Sequence, residues 1–196
     1  MRILLIVVAA TLVAGAASGQ TTAPVCYDGA PTWEGLCVRE EPATRTGYVR
    51  ADHADSEAAL ILGLPANLRV TNAAGGTTAF MTPYTCKRFA VDAKGKADTD
   101  IEHIVALAEA HDSGLAPSLR HALANDLDNQ TVADRAVNRS QKSDKDAADW
   151  TPTSNGGWFA ERVIRVKRRY GLSVDPAEAE ALKALLDGGA HPLTCP

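Results

Sequence analysis

The sequence contains no Cys-x-x-Cys pair, no His-Glu-x-x-His segment, no internal repeat and no surplus of positive charge. Each absence removes a class of function. Without cysteines at knuckle spacing, a structural zinc knuckle is excluded. Without His-Glu-x-x-His, a helix-borne zinc protease site is excluded. Lysine and arginine number 20 against 24 aspartate and glutamate, for a formal net charge of −4, so the whole molecule is not a polycation that coats nucleic acid indiscriminately. The apolar run from Ile3 to Val13 is short for a bilayer span, and Ala23-Pro24-Val25 before Cys26 lacks the form of a lipid-attachment signal. No membrane anchor is expected.

What that first run does fit is export. Arg2 supplies a positive start, Ile3 to Val13 an apolar core, and Ala14 to Gly19 small residues for cleavage, so residues 1–19 read as a secretory signal. A secreted or periplasmic protein of a bacterial host is expected, with the high alanine content in keeping with that source. The remainder suits one domain with one core. Four cysteines in an exported chain point to two disulfides. Three connectivities exist; the favoured one joins Cys26 to Cys37 across turn residues and Cys86 to Cys195, tying the tail to the core.

Residues 20–83 read as an N-terminal extension of the same domain, with mostly loop before Arg50. Asp55 or Ser56 can cap a short helix from Glu57 to Leu62, stopped by Gly63 and Pro65. Leu68 to Thr71 and Phe89 to Asp92 are strand-like, with a Gly75-Gly76 turn between them. Val105 to His111 reads as a helix ended near Gly114, and Pro117 starts another through Leu123. Phe159, Val163, Val166 and Tyr170 form a helical apolar stripe. Asp175-Pro176-Ala177-Glu178 then reads as a cap whose glutamate reaches back, opening a helix closed by Gly188.

The chemistry concentrates in Asp100-Ile101-Glu102-His103. Glu102 is a hard oxygen ligand suited to Mg²⁺ or Ca²⁺, and His103 can accept a proton from water near neutral pH. In a regular strand these neighbours face opposite ways, so a kink or strand end is expected there. A second stretch answers the first. Asp128 to Val132 is strand-like and leads into Ala133 to Lys142, which reads as a helix. Between Asp134 and Arg169 nine cationic side chains face five acidic ones, a local basic face within an acidic protein.

Strand with Glu-His, connection, strand with Asn129, helix with Asn138: over Asp100 to Trp150 this resembles the HNH, or ββα-metal, endonucleases, especially secreted bacterial members with an Asp-x-Glu-His-Ile-Val-Ala-Leu-Ala-Glu-Ala motif. The resemblance implies an α+β, mostly helical single domain built around a hairpin-helix motif, with residues 84–196 as nuclease core and C-terminal helices. It implies a nuclease cutting DNA or RNA with little sequence preference, acting as a monomer; an inhibitor protein cannot be read from one chain. In this likeness His103 is the general base, and Glu102 and Asn138 hold one divalent cation, Mg²⁺ first, with Ca²⁺ or Mn²⁺ as substitutes. Asn138 stands where the family name has its final histidine, which argues against zinc. Asn129 braces the loop between the strands, and Asp100 orients His103 or caps its strand. Arg135, Arg139 and Lys142 are expected to meet phosphates. His111 and His121 are given no ligand role, and His53 and His191 carry no signal. Both asparagines lie in glycosylation sequons, Asn129-Gln130-Thr131 and Asn138-Arg139-Ser140, so an active enzyme implies a host that leaves them bare. The alternative reading is an inactive nucleic-acid- or envelope-binding domain on the same fold.

Overall fold

A computed structural model describes residues 26, 29–41, 45–51, 57–186 and 189–196. The expected leader, the cap at Asp55 or Ser56, His53 and the helix stop at Gly188 lie outside the described residues.

Three small antiparallel sheets and a set of helices make an α+β fold. The first is a hairpin of β1 (Thr32–Trp33) and β2 (Leu36–Cys37). Its turn uses Glu34 and Gly35, both at positive φ, the backbone that tight hairpins require. Helix α1 (Glu57–Gly63) precedes the second sheet, β3 (Arg69–Thr71), β4 (Thr77–Met81) and β5 (Arg88–Ala90). The third sheet pairs β6 (Thr99–His103) with β7 (Gln130–Asp134). Between them run α2 (Leu107–Asp112) and α3 (Arg120–Ala124); after them come a helical segment at Val137–Lys142, α4 (Gly156–Tyr170) and α5 (Pro176–Leu185).

The fold is not mostly helical, as expected from sequence: helix accounts for 36% of the described residues. The difference lies in the N-terminal extension, where β1 and β2 fall in a stretch expected to be mostly loop and β4 follows the Gly75-Gly76 turn without a strand being expected there. Two-residue strands leave no alternation to detect, and β4 (Thr-Thr-Ala-Phe-Met) carries its β-branched and aromatic residues without a polar–apolar period.

The larger core gathers Leu36, Tyr84, Leu123, Phe159, Val166, Leu172 and Leu182, so the β1–β2 hairpin and the C-terminal helices bury one common interior. A parallel bridge between Val38 and Val174 fastens them: Val174 N–H donates to Cys37 O (2.9 Å) and Arg39 N–H to Val174 O (3.0 Å). A smaller core packs Ile61, Leu64, Leu68, Phe80 and Val132, so α1 and the second sheet sit against β7. The stripe of α4 is buried at Phe159, Val163 and Val166, as its spacing requires.

Both favoured disulfides are present, Cys26–Cys37 and Cys86–Cys195, with Cα–Cα separations of 5.6 and 5.4 Å. Asp175 caps α5 by accepting from Glu178 N–H (2.8 Å). The Glu178 side chain does not reach back. It turns inward to Lys167, which also lies 2.6 Å from Glu109 and donates to Ser173 O at 3.0 Å. Burial works against the Lys167 charge, and the Glu109 and Glu178 carboxylates more than reverse it, so this ammonium stays firmly protonated.

Candidate active site

Strand β6 stops at His103, the last residue in register with β7, opposite Gln130. A strand end is what lets adjacent Glu102 and His103 serve one space. Asp100 and Glu102, two residues apart, share a face of β6. Arg135 follows β7 at once and the chain coils into Val137–Lys142, setting Asn138 and Arg139 over that face. Here the ladder widens to an i→i+5 bond, Ser143 N–H to Asn138 O at 3.1 Å, with Ser143 at φ 52°. Such widened turns and strained residues gather at functional sites. A cleft of about 690 Å³ results, lined by Asp100, Glu102, His103, Asn138 and Arg139, with Tyr48 and Arg50 from the N-terminal segment on its wall.

Asn129 lies just before β7, fully buried. Its Oδ1 accepts from Val105 N–H (2.8 Å) and its Nδ2 donates to Val105 O (3.2 Å) and Leu123 O (3.4 Å). It clamps the exit of β6 to the end of α3. A glycan on that Nδ2 is incompatible with this packing. His103, 8% exposed, has Nε2 2.9 Å from Ala124 O. A carbonyl can only accept, so Nε2 carries the proton and Nδ1 is the basic nitrogen of the neutral ring. Gln130 donates to the same carbonyl (2.7 Å) and fixes it.

Glu102 and Lys142 form a buried ion pair, 3% and 1% exposed, with Nζ 2.8 Å from Oε1. Lys142 also donates to His103 O (2.9 Å), so one ammonium positions two neighbouring site residues. The Lys142 ammonium is thus the countercharge of Glu102 Oε1, which has no further donor among the described residues. Burial pushes the Glu102 carboxyl above its ordinary range, and Lys142 only partly offsets this. The fully buried Tyr84 hydroxyl, within electrostatic reach of Glu102, has no hydrogen-bond partner among the described residues.

Asp100 sits at the centre of the exposed side. Asn138 Nδ2 donates to its Oδ2 (3.0 Å), and Arg139 grips both oxygens (2.7 and 2.8 Å). The Arg139 hydrogen bonds hold its carboxyl below the usual range. Among the described residues Asp100 thus meets Asn138 and Arg139, with Arg135 Nε at 3.7 Å, and no contact to His103 accompanies the expectation that it orients that ring. Arg135 pairs with Asp98 (2.5 Å) at the rim. Lys142 departs from its expected place. It lies under Glu102 rather than facing phosphate, its four-carbon stem carrying the ammonium from the last turn of this helix to Glu102 Oε1 and His103 O. The local basic face is also largely neutralised: Arg162 pairs with Asp128, and Arg169 with Asp126 and Asp128. Tyr48, Arg50 and Tyr84 were missed from the sequence. They lie outside the motif, and no spacing links them to it.

The residues fit a hard cation. Asp100, Glu102 and the Asn138 amide offer oxygen donors of the kind Mg²⁺ takes, all lining one cleft. Among the described residues no preformed cluster of three or more His, Cys, Asp or Glu side chains exists, so part of any ligand set must come from amide, substrate or water.

An uncharacterized secreted protein of the fungus Arthroderma benhamiae is 37% identical over 97 residues, 46% of this chain and 48% of that protein. The chain thus spans about half the length of the curated relative it matches. No family model and no solved structure matches. With a secreted relative and two disulfides, the chain is a secreted protein. No helix among the described residues is long and apolar enough to cross a membrane.

Proposed function

We propose that the chain is a metal-dependent endonuclease of the HNH, or ββα-metal, type, hydrolysing phosphodiester bonds of DNA or RNA with little sequence preference. One observation carries this reading: the β6–β7 pair followed at once by the Asn138 helix brings Asp100, Glu102, His103 and Asn138 to one cleft. In it, His103 Nδ1 takes the proton of the attacking water while Ala124 O holds Nε2–H and fixes the ring. Asn129 keeps the strand end rigid, so the base stays aimed. Glu102 and Asn138 would hold a divalent cation, with Asp100 beside them; bound there, it would offset charge developing on the phosphate and the leaving oxygen. Arg139 orders the carboxylate of Asp100 and can turn to a phosphate when substrate displaces it.

A second reading, a binding domain without turnover, is favoured by Lys142, whose ammonium already supplies the countercharge to Glu102. Supercoiled plasmid and structured RNA incubated with the protein, with Mg²⁺ and with chelator, separate the two. Metal-dependent nicking or cleavage is expected. Binding without cleavage under any divalent metal would establish the second reading, and neither binding nor cleavage would overturn both.

A further inference from the structure

The N-terminal segment from Arg45 to Ala51 crosses the rim of the cleft, and its attachments are specific. Arg45 bridges Asp112 (3.5 Å) and Asp144. His111 Nε2 lies 3.1 Å from Thr46 O, and its ring meets the Tyr48 ring edge to face, with centroids 5.7 Å apart and planes at 60°. His111, which the motif leaves without a task, therefore holds an aromatic ring at the cleft wall. Two residues on, Arg50 is exposed and lines the same cleft. The other guanidiniums nearby are committed, Arg45 to Asp112 and Asp144, Arg135 to Asp98, Arg139 to Asp100. Among the described residues Arg50 has neither an ion-pair nor a hydrogen-bond partner.

We infer that Tyr48 and Arg50 form a nucleotide subsite beside the reacting phosphate, Tyr48 stacking on a base and Arg50 holding an adjacent phosphate. The inference rests on the nuclease reading and narrows its substrate class. An aromatic wall can stack only on a base whose face is open, and a duplex hides those faces. The preferred substrate is therefore an unpaired strand, DNA or RNA. The positive charge that the basic face of α4 spends on Asp126 and Asp128 is supplied instead by the segment over the cleft.

The test measures binding of a labelled single-stranded oligonucleotide, its abasic analogue and its duplex by fluorescence anisotropy in Mg²⁺, on a His103→Ala background that slows turnover. Cleavage by the unmodified protein is assayed alongside. Stacking on one base is worth about 5- to 150-fold in affinity. Tyr48→Ala is expected to weaken single-strand binding by that order and to erase the preference over the abasic analogue, with Tyr48→Phe restoring both. Arg50→Ala, which removes no ion pair or hydrogen bond among the described residues, is expected to lower the slope of log affinity against log salt by about 0.7, the release from one single-strand phosphate. If the unmodified protein cleaves nucleic acid but Tyr48→Ala keeps its preference for a base and Arg50→Ala keeps the salt slope, the subsite is refuted while the nuclease reading stands. If it neither binds nor cleaves any of these substrates, the nuclease reading fails and the subsite with it.

Discussion

Substituting Lys142 by methionine removes an ammonium that touches Glu102 Oε1 at 2.8 Å and His103 O at 2.9 Å, in a place only 1% exposed. Methionine fills much of the volume, so the loss is mainly electrostatic. Stripping one partner from a buried pair costs about 3–5 kcal/mol, because the other charge stays buried without compensation. The cost depends on pH, with a definite sign. Burial already raises the Glu102 carboxyl, and losing Lys142 raises it further. A raised folded-state pKa means that the folded protein keeps a proton the unfolded chain releases. Stability of the variant therefore falls as pH rises above the ordinary carboxylate value of about 4.3, and levels off above the new folded value. Urea unfolding followed by circular dichroism, disulfides intact, should show a small gap from wild type at acid pH and the full gap at alkaline pH. With a slope of about 1–3 kcal/mol per molar urea, that gap shifts the midpoint by roughly 1–5 M. Glu102→Gln with Lys142→Met should recover most of the loss, because no buried charge then remains. The reasoning fails if Lys142→Met is as stable as wild type at alkaline pH, or if the double variant loses the sum of the two single ones.

Three further outcomes follow from the fold. Removing Cys86–Cys195 should cost about 4–5 kcal/mol and removing Cys26–Cys37 about 3, because the closed loops span 109 and 11 residues; chemical unfolding of the two Cys→Ser pairs measures the difference. Asn129→Ala strands the Val105 N–H in a fully buried site and should cost about 2–4 kcal/mol in the same assay, with cleavage falling as His103 loses its fixed strand end. On the acid side, the Arg139 hydrogen bonds hold Asp100 low, so its contribution is present above the ordinary aspartate value of about 3.9 and lost as pH falls through the lowered one. Asp100→Asn should flatten the acid-unfolding curve there, seen by circular dichroism.

Legibility from sequence followed the length of the signal. The stripe of α4 and the cap of α5 spread their information over many residues and were readable. The strand end at His103 was readable for a different reason: two adjacent chemical groups cannot share one face of a regular strand. The pairing of Asp100 with Arg139 and Asn138 was not, since it depends on how the Val137–Lys142 helix rolls over β6. Lys142 shows the limit most sharply. Its spacing from Asn138 places it on the same helix side, but whether it meets solvent phosphate or dives to Glu102 is decided by depth, which a one-dimensional period does not carry. Tyr48 and Arg50 reach the cleft through long-range contacts to His111, Asp112 and Asp144, and no local pattern announces such contacts.

The central claim, a base at His103 beside a metal held by Glu102 and Asn138, is tested most directly by titrating Mg²⁺ and Mn²⁺ into cleavage assays of wild type, His103→Ala and Glu102→Ala. Wild type should cleave only with metal. His103→Ala should be slower by about 10²–10⁴-fold at saturating metal and gain nothing from more of it. Glu102→Ala should need more metal and recover in part as it is added. Cleavage by His103→Ala at the wild-type rate, or by wild type in excess chelator, would contradict the account.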